Sequence, residues 1–96
     1  MADVPPVLSH EDVDAALADL EGWERDGEFL RRDFEFDDFV EAFSFMAGAA
    51  LVAEKLFHHP EWSNVYNRVS IAITTHDAGG LTDNDLEFAR RVSSLV

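Results

Sequence analysis

The chain has 96 residues, a mass of 10.8 kDa and a formal charge of -13, which predict one small domain over residues 1–96 and exclude a multidomain enzyme. Because 47% of the residues are hydrophobic and cysteine is absent, we expect a packed core without disulfides, thiol chemistry or thiolate zinc sites. Twenty acidic against seven basic residues oppose direct binding to nucleic acid or an anionic membrane, and favour a surface adapted to high salt.

The first third of the chain predicts a helix followed by a hairpin. Ser9 has a side chain suited to capping a helix over residues 10–20, where apolar residues recur at helical spacing. The dipeptide Asp26-Gly27 is a two-residue turn signal between two short runs. In the second run, Phe34 and the next phenylalanine alternate with charged residues, so one face of that strand is expected to be buried and the other wet.

A long apolar helix is predicted next, beginning at Asp37 or Asp38 and ending near Phe57, ahead of the helix-terminating Pro60. It is apolar on nearly all sides, so we expect either contact with another subunit or burial as a central helix. Its uncharged run, residues 42–53, is too short to span a bilayer, and no secretion signal precedes it. These features predict a cytoplasmic protein.

The second half predicts strand structure and a final helix. From Asn64 the residues alternate, which fits one long strand or two strands with a break near Asn67. The residues expected to share the apolar face are Val65, Val69, Ile71 and Ile73. After a loop over residues 76–80, Thr82 and Asp85 have the spacing of a capping box for a helix to about Leu95. The element order predicts an α+β domain, with helices on one face of an antiparallel sheet.

Three of the four histidines lie between positions 58 and 76, and imidazole is the side chain best suited to proton transfer near neutral pH. His58 and His59 are adjacent at a helix end, so both can face one pocket only if the helix opens there. The alternative is a pair of ordinary histidines that interact with the helix dipole. His76 follows a strand and precedes a Gly-Gly loop, a position common for functional residues.

Three further side chains have two candidate uses each. Glu54 can orient His58, four residues later, or be a solvated acid. Trp62 can stack on a planar ligand or fill the core, and the core is the commoner use. Asp85 can bind a ligand or complete the helix cap, the more economical explanation. A zinc site built from the histidines is disfavoured because adjacent ligands are awkward, and no dinucleotide, phosphate-loop, serine-esterase or zincin motif is present.

Two segments together resemble the pterin-4a-carbinolamine dehydratase family: residues 54–67, EKLFHHPEWSNVYN, and residues 75–85, THDAGGLTDND. The family pattern is a charged residue, three residues, His-His-Pro, an aromatic residue after a short gap, a distant His and then an Asp. Every element has a counterpart here at the expected spacing. The resemblance implies a four-stranded antiparallel sheet with three helices on one face, in the order α-β-β-α-β-β-α.

The resemblance also implies an activity, the dehydration of a 4a-hydroxytetrahydropterin to the quinonoid dihydropterin by histidine general acid–base catalysis, without cofactor or metal. It makes His58 and His76 the proton-transfer groups and His59 the substrate-positioning one. The residues implied to shape the pterin pocket are Glu54, Pro60, Trp62 and Asp85. Family members form dimers and tetramers, so we expect a homo-dimer or homo-tetramer. The alternative function is a non-catalytic binding or coactivator-type module with the same fold.

Overall fold

The computed structural model describes residues 4–96, which form three α-helices and a four-stranded antiparallel sheet. The helices are α1 (His10–Leu17), α2 (Phe39–Leu56) and α3 (Asp83–Ser93). The strands are β1 (Glu24–Asp26), β2 (Phe29–Glu35), β3 (Glu61–Val65) and β4 (Arg68–Ile73). They lie in the order β1-β2-β4-β3 across the sheet. The predicted fold class and element order are therefore confirmed.

Helix α1 begins as predicted but ends earlier. The hydroxyl of Ser9 accepts a hydrogen bond from the backbone N–H of Asp12 at 3.0 Å, which caps the helix. The predicted end at Leu20 is wrong, because the helix stops at Leu17 and tighter turns follow, in which the Leu20 N–H bonds the Leu17 carbonyl at 3.0 Å. These turns still bury Leu20 beside Val13 in the core.

The hairpin of β1 and β2 has its turn one residue later than predicted. Asp26 pairs with Phe29, so the two turn residues are Gly27 and Glu28. Gly27 has a φ of 60°, a left-handed conformation that glycine adopts without steric cost. Phe34 is buried on the face of β2 that meets the helices, as the alternation predicts.

Helix α2 is capped by Asp38, whose carboxylate accepts the Glu41 N–H at 2.9 Å. The residues that it buries are Ala42, Phe45, Ala49 and Ala53. Large apolar side chains on the rest of its surface remain exposed, and we call them the outer face of α2: Phe39, Val40, Phe43 and Leu51. One chain therefore covers α2 on one side only and does not bury it as a central helix.

The alternating segment forms two strands, with the break at Tyr66 and Asn67. The first strand begins at Glu61, earlier than the alternation predicts. Val65 pairs with Arg68 and is 65% exposed, so its predicted place on the apolar face is wrong. A two-residue turn puts paired residues on the same face, and Arg68 points to solvent. The other three residues predicted for that face are buried: Val69, Ile71 and Ile73.

The core lies between the sheet and the helices. Its largest fully buried side chains are Phe88, Leu30, Ile71 and Ile73, which come from α3, β2 and β4. Trp23, ahead of β1, packs edge-on against Phe34 at 6.1 Å between ring centroids. Within residues 4–96, no helix has both the length and the apolar character needed to cross a membrane.

Candidate active site

The chain leaves α2 through a left-handed residue just before the two adjacent histidines. Phe57 has a φ of 54° and donates its N–H to the Glu54 carbonyl at 3.2 Å, while the His58 N–H bonds the Ala53 carbonyl at 3.0 Å. This pair of bonds is the Schellman motif, in which glycine usually takes the left-handed position. Because the helix ends here, the side chains of His58 and His59 separate and reach different partners.

His58 contacts a buried carboxylate. Its Nε2 lies 2.5 Å from Oδ1 of Asp85, and the side chains are 11% and 0% exposed. The second carboxylate oxygen, Oδ2, accepts the Thr75 hydroxyl and the Thr82 N–H, each at 2.8 Å. A buried carboxylate is costly unless its oxygens are hydrogen-bonded. Here both oxygens are bonded, which fixes the carboxylate and the ring beside it.

Asp85 takes its place from the start of α3. The predicted capping box is confirmed: the Thr82 hydroxyl accepts the Asn84 N–H at 3.2 Å, and the Asp85 side chain accepts the Thr82 N–H. The capping explanation for Asp85 is therefore correct but incomplete, because the same carboxylate also contacts His58. The capping box that begins α3 thus also positions the carboxylate that contacts His58.

His59 pairs with Glu54 at 2.8 Å, between Nε2 and Oε1, and both side chains are exposed. The suggestion that Glu54 orients His58 is wrong. The helix ends at Leu56, so His58 does not continue the helical face on which Glu54 lies. A solvent-exposed pair of this kind contributes little to stability, and the His59 ring remains accessible.

His76 begins a single 3₁₀ turn, His76–Ala78, inside the segment predicted as a loop. Its Nε2 lies 3.4 Å from Oε2 of Glu61, and its ring packs edge-on against Phe29 at 6.2 Å between centroids. The side chain is 74% exposed. Because Glu61 follows the His-His-Pro segment directly, this contact brings His76 next to the segment that carries His58.

Pro60 and Trp62 flank the start of β3, and both are half-buried. Trp62 pairs with Ile71 across the strands and packs against the hydrophobic core, which favours the core use of this ring. The sequence argument missed Thr75 and Glu61. Thr75 stands inside the quoted motif, but a threonine at the end of a strand carries no signal that distinguishes it from a neighbour such as Thr74.

Each of the three histidines thus has its own carboxylate partner. Among residues 4–96, no group of three or more His, Asp or Glu side chains converges closely enough to hold a metal ion. A cleft of about 700 Å³ lies elsewhere, between β2, α2 and the end of α3, and none of the candidate residues lines it. The candidate site is therefore the region where α2 ends, β3 begins and α3 begins.

Comparison with known proteins identifies the family of the chain. The family model described as "Pterin 4 alpha carbinolamine dehydratase" matches residues 6–95. The chain belongs to this family. The resemblance found in two motif segments therefore extends over nearly the whole chain.

Relatives of this dehydratase-family chain match it along almost their full length. Two carry the name "Putative pterin-4-alpha-carbinolamine dehydratase". The protein of Rhodopseudomonas palustris (strain BisB18) is 51% identical over 91 residues, 93% of this chain and 90% of the relative. That of Synechococcus sp. (strain WH7803) is 47% identical over 95 residues, 99% of each. The crystal structure of transcriptional coactivator/pterin dehydratase from Brucella melitensis gives a TM-score of 0.89 at 45% identity, over 93% of this chain and 97% of that one.

Proposed function

We propose that this chain catalyses the dehydration of a 4a-hydroxytetrahydropterin to the quinonoid dihydropterin. Membership of the dehydratase family supports the reaction class. The observation that carries the proposal is the contact between His58 and the buried Asp85, together with two exposed histidines: His59, the next residue in the chain, and His76, which contacts Glu61. Such a set offers one fixed imidazole and two accessible ones, which suits acid–base chemistry on a small planar substrate.

The reaction needs two proton transfers and no change of oxidation state. The C4a–O bond breaks with its electron pair on oxygen, and an acid gives that oxygen a proton so that it leaves as water. The proton on N5 passes to a base, and the electrons of N5 form the new C4a=N5 bond. Each positioned proton-transfer group typically contributes ~10²–10⁴ in rate. We assign these transfers to His58 and His76.

The remaining candidates hold the substrate in this proposal. His59 is exposed and contacts the substrate, while Glu54 keeps the ring oriented through its 2.8 Å contact. Pro60 and Trp62 shape the pocket from the start of β3. Asp85 is fully buried and contacts Nε2 of His58, so it affects the substrate by fixing the orientation of the His58 ring. No metal or organic cofactor takes part.

We further propose that the working form is a homo-dimer or homo-tetramer. The outer face of α2 presents four large apolar side chains to solvent, with exposures from 45% to 73%. Exposed apolar side chains grouped on one helix mark an interaction surface. Nucleic acid is not expected as a direct partner, because a chain with a net charge of -13 repels phosphate backbones.

The deciding experiment measures dehydration of a chemically generated 4a-carbinolamine with and without chelator-treated protein. We expect the protein to accelerate dehydration above the spontaneous rate, and His58→Ala to lose most of that acceleration. His10→Ala is the matched control, since His10 also pairs with a carboxylate, Glu28 at 2.8 Å, but lies outside the site. A rate equal to the spontaneous one in all samples would refute the dehydratase proposal, and activity only after zinc addition would replace it with metal catalysis.

The second candidate is a non-catalytic binding or coactivator-type module. It is favoured by the name of the Brucella melitensis protein, which includes transcriptional coactivator, and by the exposed outer face of α2. The two candidates differ in which residues matter. Catalysis depends on His58, so His58→Ala should lose the acceleration even in protein that still assembles. A binding module depends on the outer face of α2 and tolerates His58→Ala.

A further inference from the structure

We propose that Thr75 is a positioning residue that acts through Asp85 to keep the proton of His58 on Nε2, so that Nδ1 is the atom that exchanges a proton with substrate. Thr75 is 8% exposed and lies two residues after β4 and ten residues before Asp85. We build here on the proposed dehydratase function, although the proton position in the resting protein can be measured without substrate.

The hydrogen bonds around Asp85 fix the direction of donation. The backbone N–H of Thr82 can only donate, so Oδ2 of Asp85 is an acceptor at 2.8 Å. The Thr75 hydroxyl lies 2.8 Å from both Oδ2 of Asp85 and the hydroxyl of Thr82. A carboxylate accepts, so Thr75 donates to Asp85. The Thr82 hydroxyl then donates to Thr75, and its own oxygen accepts the Asn84 N–H.

The Thr75 hydroxyl and the Thr82 N–H both donate to Oδ2 of the Asp85 carboxylate. Oδ1 of Asp85 is then an acceptor as well, so the contact at 2.5 Å is a donation from Nε2–H of His58. A neutral imidazole has one N–H, and placing it on Nε2 leaves Nδ1 with the free lone pair. The buried carboxylate therefore selects one of the two neutral forms of the ring.

The free nitrogen is open to the surface. Nδ1 of His58 makes no hydrogen bond within residues 4–96, and the side chain is 11% exposed. Among these residues, no enclosed side-chain nitrogen or oxygen lacks a hydrogen-bond partner, so Nδ1 is not sealed inside the protein. Nε2 faces the buried acid, so Nδ1 is the ring atom left to face substrate in this proposal.

Thr74 provides a matched control for Thr75. Both are 8% exposed, and each has one hydroxyl that donates a hydrogen bond. Thr74 donates to the backbone carbonyl of Glu28 at 2.5 Å and makes no hydrogen bond to Asp85. Replacing either threonine by valine removes one buried hydroxyl at nearly constant volume, but only Thr75→Val weakens the support of Asp85.

The first measurement is ¹⁵N NMR of the imidazole nitrogens in mildly alkaline buffer. We expect the wild-type protein and Thr74→Val to hold the His58 proton on Nε2. In Thr75→Val we expect a measurable population with the proton on Nδ1, and Thr75→Ser should restore the wild-type spectrum. A wild-type His58 with its proton on Nδ1 would overturn the proposal by itself, even if Thr75→Val failed to fold.

The second measurement is dehydration kinetics on the same variants. We expect kcat of Thr75→Val to fall by about 10-fold to about 100-fold with little change in KM, as for other supporting hydrogen bonds behind a reacting group. Thr75→Ser should recover the rate, and Thr74→Val should keep it. Equal losses in both valine variants with an unchanged spectrum would make Thr75 merely structural. If no sample accelerates dehydration while the spectra behave as expected, the proposed function fails and the proton placement stands.

Discussion

At the scale of single residues, the histidines differ in surroundings although each meets one carboxylate. The side chain of His58 is 11% exposed against a partner that is fully buried, whereas His76 is 74% exposed and 3.4 Å from an exposed Glu61. Removing His58 therefore leaves a buried acceptor without its partner. Removing His76 leaves a carboxylate that water can solvate.

This difference predicts that replacing His76 affects catalysis alone, whereas replacing His58 affects both catalysis and stability. His58→Ala should lower the free energy of unfolding by about 1–3 kcal/mol, because Oδ1 of Asp85 loses its donor. His76→Ala should change it by less than ~0.5 kcal/mol, as exposed substitutions usually do. Both should slow dehydration. Thermal melts recorded beside the rates provide the check, and equal destabilisation by the two variants would contradict the described burial.

The candidate site was predictable from the sequence only where its signals were local. The Thr82 and Asp85 cap follows from a spacing of three residues, and it is present. Glu54 was placed with His58 because four residues span one helical turn, but the turn does not continue to that position. Thr75 reaches Asp85 because the chain folds back between them through a 3₁₀ turn and the bridge of Thr75 with Gly80, which no helical or strand spacing encodes.

At the scale of elements, the end of α2 decides where the site lies. Phe57 takes a left-handed conformation although it carries a side chain, and the residue is 87% exposed. Within one chain, the exposed ring provides no packing that compensates the steric cost of this conformation. The turn is therefore held by its two backbone hydrogen bonds and by the contact of His58 with α3.

Phe57→Gly should raise the free energy of unfolding by about 0.5–1 kcal/mol, because glycine adopts this conformation without the clash of a Cβ atom. Phe57→Ala is the control, since it removes the ring but keeps the Cβ atom. Denaturant unfolding of both variants isolates the backbone effect. A glycine variant no more stable than the alanine variant would show that the left-handed residue carries no strain.

Periodicity predicted the elements better than their ends or faces. Alternation identified the strand segment, but it assigned Val65 to the buried face because it ignored the reversal at Tyr66 and Asn67. The turn of the first hairpin lies one residue later than the dipeptide Asp26-Gly27 predicts. Asp26 still pairs with Phe29 as the last residue of β1, and the chain reverses at Gly27, which has a positive φ, and Glu28.

At the scale of the whole molecule, apolar surface and net charge have opposite effects on the association of subunits. The outer face of α2 favours association through apolar contact, while each added subunit brings a formal charge of -13. Salt decides the balance, because the screening length is about 10 Å at 0.1 M and about 3 Å at 1 M. The acidic surface is thus expected to permit assembly in concentrated salt and to weaken it in dilute buffer.

Light scattering across a salt series tests this balance. We expect a homo-oligomer in molar salt that dissociates as salt is removed, and Leu51→Asp should shift the protein towards the monomer at every salt concentration. Ala15→Asp adds the same charge on the exposed surface of α1 and should behave like the wild type. A monomer throughout would contradict the interface, and an oligomer indifferent to salt would contradict the high-salt adaptation.

The double use of Asp85 ties the readiness of the site to one helix end that lies in the core. Thr82 and Asp85 are fully buried, so the first turn of α3 should open about as rarely as the core, and amide hydrogen exchange reports such openings. When the first turn of α3 opens, the carboxylate that completes its cap also leaves His58. The fraction of molecules that can convert substrate is then equal to the fraction in which the first turn of α3 is closed. On warming, the loss of activity should accordingly coincide with the loss of the sheet, because the turn at Thr82 opens with the core.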